Sequence, residues 1–173
     1  MSTYSSQLLQ EQFKSAHDWL MNTIGEADES QLHWQADGLP SPIGAQLMHV
    51  LLVEDFFVGA LSGNGPLMMG DFAGKTGASE MPPQSGPWDE WGKSVQVDLA
   101  AARDYADAVF KATDAYVGSL DDEAVAEKIT LEAVGIEDRT RGNILSILIL
   151  NCFTHAGEIS ALKGLQGEKG YPF

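Results

Sequence analysis

A chain of 173 residues with 25 acidic against 10 basic side chains carries a formal charge of −15 at pH 7. Its cations, such as Lys14, Lys75, Lys93, Arg103 and Lys111, are scattered; phosphate binding needs clustered positive charge, so nucleic acid and anionic membrane are excluded as expected partners. The length suits a single domain over residues 1–173, and one cysteine, Cys152, with an N-terminus that lacks a basic start and apolar core, leads us to expect a reducing, cytoplasmic setting.

Tyr4 to Ile24 reads as the first helix, with Leu8 or Leu9, Phe13, Leu20, Met21 and Ile24 recurring at helical spacing and His17 within the same stripe. Gly25 is its stop. Ala27 to Pro40 is a polar connector with one amphipathic turn, in which Leu32 and Trp34 pack inward and His33 is solvated. Ser41 and Pro42 open the second helix as cap and first helical residue. It runs to about Leu61, ends at Ser62-Gly63-Asn64-Gly65-Pro66, and turns inward a face centred on His49 with Ala45, Leu52, Val53, Phe56 and Ala60. Leu67 to Pro87 is rich in Gly and Pro, and a loop of that length is expected to be a lid or mobile excursion. From Ser85 or Pro87 a third helix runs to about Val117, with Asp89 and Glu90 at its positive end and Trp91, Val95, Leu99, Ala102, Ala106 and Val109 inward; Gly118 stops it. Within Asp121 to Asp138, DDEAVAEK favours a short helical turn, and ITLEAVGIE reads equally as an extended arm or a short strand. The fourth helix starts near Thr140. No run reaches the roughly 18 uninterrupted apolar residues of a membrane span. These elements predict an all-α four-helix bundle with a long connection between helices 2 and 3.

The fourth helix carries the candidate site. With His155 at zero on a wheel of about 100° per residue, Ile144, Leu148, Asn151, Glu158, Ile159 and Leu162 fall within roughly 60° of it. Three polar side chains on an apolar stripe cost about 1–3 kcal/mol each unless they are hydrogen-bonded or bind something. His49 on helix 2 would close the set from across the core. Imidazole nitrogen suits zinc, nickel or iron(II), whereas the Asn151 amide oxygen is a poor ligand for these ions. His17 is a candidate third nitrogen, its alternative being a hydrogen-bonded core histidine. For His49 and His155 the alternative is likewise a hydrogen-bonded core pair. Glu158 is either an acceptor that orients His155, a general base beside a metal-bound water, or a solvated carboxylate at the helix edge. Cys152, rotated by about 60° from His155, reads as a small hydrophobe in the helix interface. Trp88 and Trp91 either line a pocket mouth or pack.

Two stretches resemble the DinB/YfiT-like family of four-helix bundles, and the resemblance covers most of the chain. In helix 2, WQADGLPSPIGAQLMHVLLVEDFF is similar to the family's aromatic, Ser/Pro-led helix start and histidine, here His49. In helix 4, RGNILSILILNCFTHAGEISALKGLQG followed by KGYPF resembles the C-terminal motif of two histidines four apart, then Gly, an acid or amide, an apolar residue and a Gly after the helix. The resemblance implies a divalent metal held by the helix 2 histidine and the helix 4 pair. His49 and His155 match those positions, and Asn151 stands where the pair's first histidine would be. It also implies a small-molecule substrate or thiol, with thiol-dependent transferase or isomerase chemistry on thiols such as mycothiol or bacillithiol, and a homodimer through exposed bundle faces. Two functions follow. One is an enzyme with zinc, nickel or iron on His49 and His155, completed by Asn151 or His17, with Glu158 catalytic and residues 67–87 covering the pocket; hydrolysis is a further reaction for it. The other is a non-catalytic ligand-binding or interaction protein with a degenerate metal site.

Overall fold

A computed structural model describes residues 3–35, 38 and 41–173. Four long helices, α1 (Tyr4–Ile24), α3 (Ile43–Ser62), α5 (Leu99–Gly118) and α7 (Arg141–Leu165), form the expected bundle. Short helices α2 (Glu29–Leu32), α4 (Asp89–Ser94) and α6 (Asp122–Ala126) sit in the connections. α1 packs on α5 and α7, and α3 packs on the same two, so α1 and α3 lie across the diagonal although they are consecutive long helices. The expected bounds of α1 and the start of α7 hold. Gly25 ends α1 at a positive φ of 54°, and Thr140 caps α7 by accepting the Asn143 N–H at 3.1 Å.

The third helix is not continuous. α4 stops at Ser94, residues 95–98 are extended with an isolated bridge between Val97 and Ala78, and α5 begins afresh at Leu99. Two β-branched residues within three positions weaken the helix there. Asp98 then acts as a strong cap, its carboxylate accepting the N–H groups of Ala100 at 2.9 Å and Ala101 at 3.1 Å. At the second helix the cap position falls on Pro42, so Ser41 does not cap it. The ambiguous stretch resolves into α6 and a hairpin, β1 (Lys128–Leu131) antiparallel to β2 (Ile136–Thr140) across a 3₁₀ turn at Glu132–Val134.

Residues 67–87 are stitched down along most of their length. Gly77 carries φ 93° and lies so close to α5 that a Cβ there would meet the Ala102 nitrogen at 2.6 Å. Glu80 accepts from the Trp91 indole through its carbonyl and from Ser94 through its carboxylate. In the preceding connector His33 is not merely solvated. Its Nε2 accepts the Val97 N–H at 2.8 Å and its Nδ1 meets the Glu29 carbonyl at 2.9 Å, tying α2 to the break before α5. Leu32 is buried and Trp34 packs on the core as expected; Ala36, Asp37, Leu39 and Pro40 of this connector lie outside the described residues.

α3 departs most from its amphipathic reading. It is buried around nearly its whole circumference: Ile43, Leu47, Met48, Val50, Leu51, Leu52 and Val58 are core, while Ala60 is exposed and His49, Val53 and Phe56 are half-buried. Its inward face is therefore not centred on His49. Two adjacent carboxylates, Glu54 and Asp55, are buried with it. Asp55 accepts the N–H groups of Leu67 and Met68, both at 2.8 Å, and the Tyr105 hydroxyl at 2.7 Å. This one side chain both ends the second helix's excursion and pins it to α5. Burial, and then the bond to Asp55, push the Tyr105 phenol well above its usual range.

Asp55→Ala strands three donors, each costing about 1–3 kcal/mol when left unpaired in the interior. We expect the variant to lose about 3 kcal/mol in urea unfolding with an unchanged slope; a loss within error of zero would show that water replaces the carboxylate freely.

Candidate functional site

The site lies where α3, α7 and α4 meet. Gly92 eases that meeting: a Cβ there would come within 2.5 Å of the Ser41 hydroxyl and 3.0 Å of the Ser41 Cβ, so glycine lets α4 settle closely on the start of α3. α4 then brings Trp88 edge-on to His49, ring centroids 5.2 Å apart, and buries Trp91 behind it. Both indoles are fixed through their N–H groups, Trp88 to the Pro83 carbonyl at 3.2 Å and Trp91 to that of Glu80. The result is a cavity of about 530 Å³ whose walls include Ala45, Pro87, Trp88 and Trp91 and whose polar end is Gln46, His49 and His155. Of the expected lid only its last residues, Gly86 and Pro87, reach the cavity.

On α7, Asn151, His155 and Glu158 are each half-buried; the fully buried stripe is Leu145, Leu148, Cys152, Ala156 and Ile159. The three polar residues thus border the core stripe instead of lying in it, which lowers the cost of keeping them polar. His155 Nδ1 faces two acceptors, the Gln46 side-chain oxygen and a Glu158 oxygen at 2.8 Å. The Gln46 amide is oriented by its own donation to the Ser41 carbonyl at 3.3 Å. Assigned from these partners, the ring proton sits on Nδ1 and Nε2 keeps its lone pair. The His49 ring lies 4.6 Å from that of His155, centroid to centroid, tilted by 60°. Burial first, and His155 second, lower the His49 pKa from 6.5 to about 4, against a hydrogen bond with Asn151 and the charge of Glu158 that both favour the cation. His49 is therefore a neutral imidazole at physiological pH.

The structure brings together His49, Asn151, His155 and Glu158 and leaves His17 out. His17 lies on α1 with Nε2 at 3.0 Å from both oxygens of Glu54, and its ring stacks on Phe110 at 3.6 Å. Thr113 donates to the same carboxylate at 2.6 Å. The ring belongs to a closed core network, so it does not supply the third nitrogen. Cys152 is buried and donates to the Ala16 carbonyl; burial pushes its thiol far above the range in which a thiolate forms. Gln46 is the participant that sequence reasoning missed. Its signal was available, since it precedes His49 by three residues and so shares its side of α3.

As a donor set the residues suit a divalent ion at two positions. His155 keeps a lone pair while its other nitrogen is oriented by a carboxylate, the usual arrangement behind a metal-bound imidazole, and His49 is neutral. Asn151 adds only an amide oxygen. Among the described residues no three His, Cys, Asp or Glu side chains converge as a group able to hold a metal ion.

A family model, the DinB superfamily, matches residues 12–159. Among solved structures the chain is similar to a conserved protein of a locus from Enterococcus faecalis, with a TM-score of 0.77 at 20% identity over 95% of this chain and 97% of that one. A search of curated proteins returned no match.

His49 gives the site a pH signature. Its folded pKa lies below the ordinary value of 6.5, so the unfolded chain takes up the proton first. The stability held by the neutral ring is complete above pH 6.5 and is lost as pH falls towards about 4. An NMR titration of the His49 ring is expected to give a midpoint near 4, and one at 6.5 would show that the ring is solvated in solution.

Proposed function

The chain belongs to the DinB superfamily, and on that premise we propose that the cavity is a small-molecule site in which His49 and His155 hold a divalent ion, zinc, nickel or iron. The observation that carries this reading is the pinning of His155: Gln46 and Glu158 both face Nδ1, which leaves Nε2 free of them, in a ring whose centroid lies 4.6 Å from that of His49. The two imidazoles meet in a half-buried place, and an ion between them would give that contact a role.

A bound divalent ion lowers the pKa of a coordinated water or thiol and polarises a substrate oxygen. The chain's own residues define what surrounds that chemistry. Asn151 is a weak third donor, leaving positions open to a substrate or thiol. Glu158 holds the Nδ1 proton of His155, which makes the ring a stronger ligand and places a carboxylate within reach of a proton released at the polar end. Trp88, Trp91 and Pro87 form an apolar wall that excludes water and accepts the non-reacting part of a ligand. The resemblance to thiol-dependent transferases and isomerases makes a small thiol the first substrate class to test, and hydrolysis the second.

One observation favours a second reading, a non-catalytic ligand-binding protein. Asn151 lies beside His49 and favours its protonated ring, and an amide placed there can complement the histidine without an ion.

Elemental analysis of untagged protein separates the two. Under the first reading the native chain carries about one equivalent of metal, His49→Ala with His155→Ala loses it, and Asn151→His holds it more tightly, roughly tenfold or more for an added imidazole. Metal absent from the native chain but present in Asn151→His would establish the second reading. Metal in neither would make His49 and His155 core residues.

A further inference from the structure

A ligand that enters the cavity meets walls without a fixed cation. Among the described residues no Lys or Arg lines it, and the His49 ring is neutral at physiological pH. Negative charge stands at two places. Glu158 is bonded to His155, and its charge reaches His49. Asp89 lies on the cavity wall itself, next in sequence to Trp88. Its side chain is exposed and, among the described residues, makes no hydrogen bond or ion pair. The charge of Asp89 reaches Lys93, but that ammonium is bonded to Glu90 at 2.8 Å. Asp89 is therefore a carboxylate open to a ligand. The indole beside it is held by its N–H bond to the Pro83 carbonyl, and an aromatic face attracts a cation as a carboxylate does.

On the reading of this cavity as a small-molecule site, on which the inference rests, we propose that its ligand is a small amine: a protonated nitrogen carried on an apolar or aromatic body. The nitrogen lies against Asp89 and the Trp88 ring, and the body lies along Pro87, Trp91 and Ala45. The volume of about 530 Å³ suits such a molecule, since small-molecule sites run from roughly 300 to 1,000 Å³. A carboxylate, phosphate or sulfate in the same place would meet Asp89 with no cation to offset it, in a chain of net charge −15. A divalent ion on His49 and His155 does not turn the cavity positive, because Asp89 and Glu158 match its two charges in number. Where the ligand is a thiol, the same rule selects an aminothiol over a carboxylate-bearing one.

A matched pair of probes tests this. Phenethylammonium and hydrocinnamate share a ring and a two-carbon spacer and differ in the sign of the terminal charge. Each is titrated at neutral pH into the full chain, metal-free and zinc-loaded, while NMR follows the Trp88 indole N–H signal. The ammonium is expected to bind with a Kd roughly tenfold or more below that of the carboxylate, since reversing the charge removes an attraction and adds a repulsion. Asp89→Asn is expected to abolish that preference. Glu137→Gln changes the net charge equally at an exposed position on β2 outside the cavity, and is expected to keep it. Equal binding of the two probes, a preference that survives Asp89→Asn, or no shift with either probe would overturn the amine assignment. Zinc content is read separately by elemental analysis. A chain that holds zinc on His49 and His155 but shows no preference would sink the amine alone, and one that prefers the ammonium without holding zinc would support the amine and remove the metal.

Discussion

Everything in this bundle depends on α3 being enclosed. A helix covered on all sides loses the option of turning its polar residues to water, so each must find a partner on whatever packs against it. α3 carries three such residues, and each reaches a different part of the molecule. Gln46 bonds to His155 of α7; Glu54 is met by His17 of α1 and Thr113 of α5; Asp55 is met by Tyr105 of α5 and by the two backbone amides after the helix. The bundle's geometry is thereby specified by polar contacts with direction, in addition to apolar contacts that have little.

The three ties differ in one respect that matters for function. Those of Glu54 and Asp55 are closed: the carboxylates are buried and their oxygens have protein partners. The tie of Gln46 leads outward. It ends on a histidine that is half-buried, has a second histidine beside it, and borders a cavity walled by two tryptophans. The same device that stabilises the core at two levels leaves, at the third, an imidazole held in one tautomer at the edge of an open space. This difference separates His17 from His155, although on a helical wheel both fall within an apolar stripe.

Much of this was legible from residue order. The four long helices follow from apolar spacing and caps, and the convergence of His49, Asn151, His155 and Glu158 follows from spacing on α7 together with a facing histidine. What was not legible has identifiable causes. Periodicity reads α3 as amphipathic because it assumes one wet side, and α3 has almost none. The break before α5 was hidden because Val95 and Leu99 keep helical spacing across it, whereas Asp98 as a cap and the pairing of residues 78 and 97 override that spacing. The length and Gly content of residues 67–87 suggested mobility, but Gly77 serves close contact with α5, and Glu80 anchors α4. His33 shows the same limit, since the Val97 amide that engages it lies 64 residues away.

Asn151 is the residue on which the chemical reading turns. An imidazole at that position would bring a third ring nitrogen to the half-buried polar end, the donor type that suits zinc, nickel or iron. The Asn151 amide offers an N–H donor and an oxygen acceptor to its neighbours, but only a weak oxygen ligand to such an ion. It also opposes the lowering of the His49 pKa by favouring the protonated ring, though burial and the neighbouring His155 prevail. The site is thus built so that His49 stays neutral without relying on a metal, and any ion held there binds to a pair already organised by Gln46, Glu158 and Asn151. Two imidazoles and an amide oxygen would hold such an ion more weakly than three imidazoles would, beside a cavity whose apolar wall leaves room for a ligand.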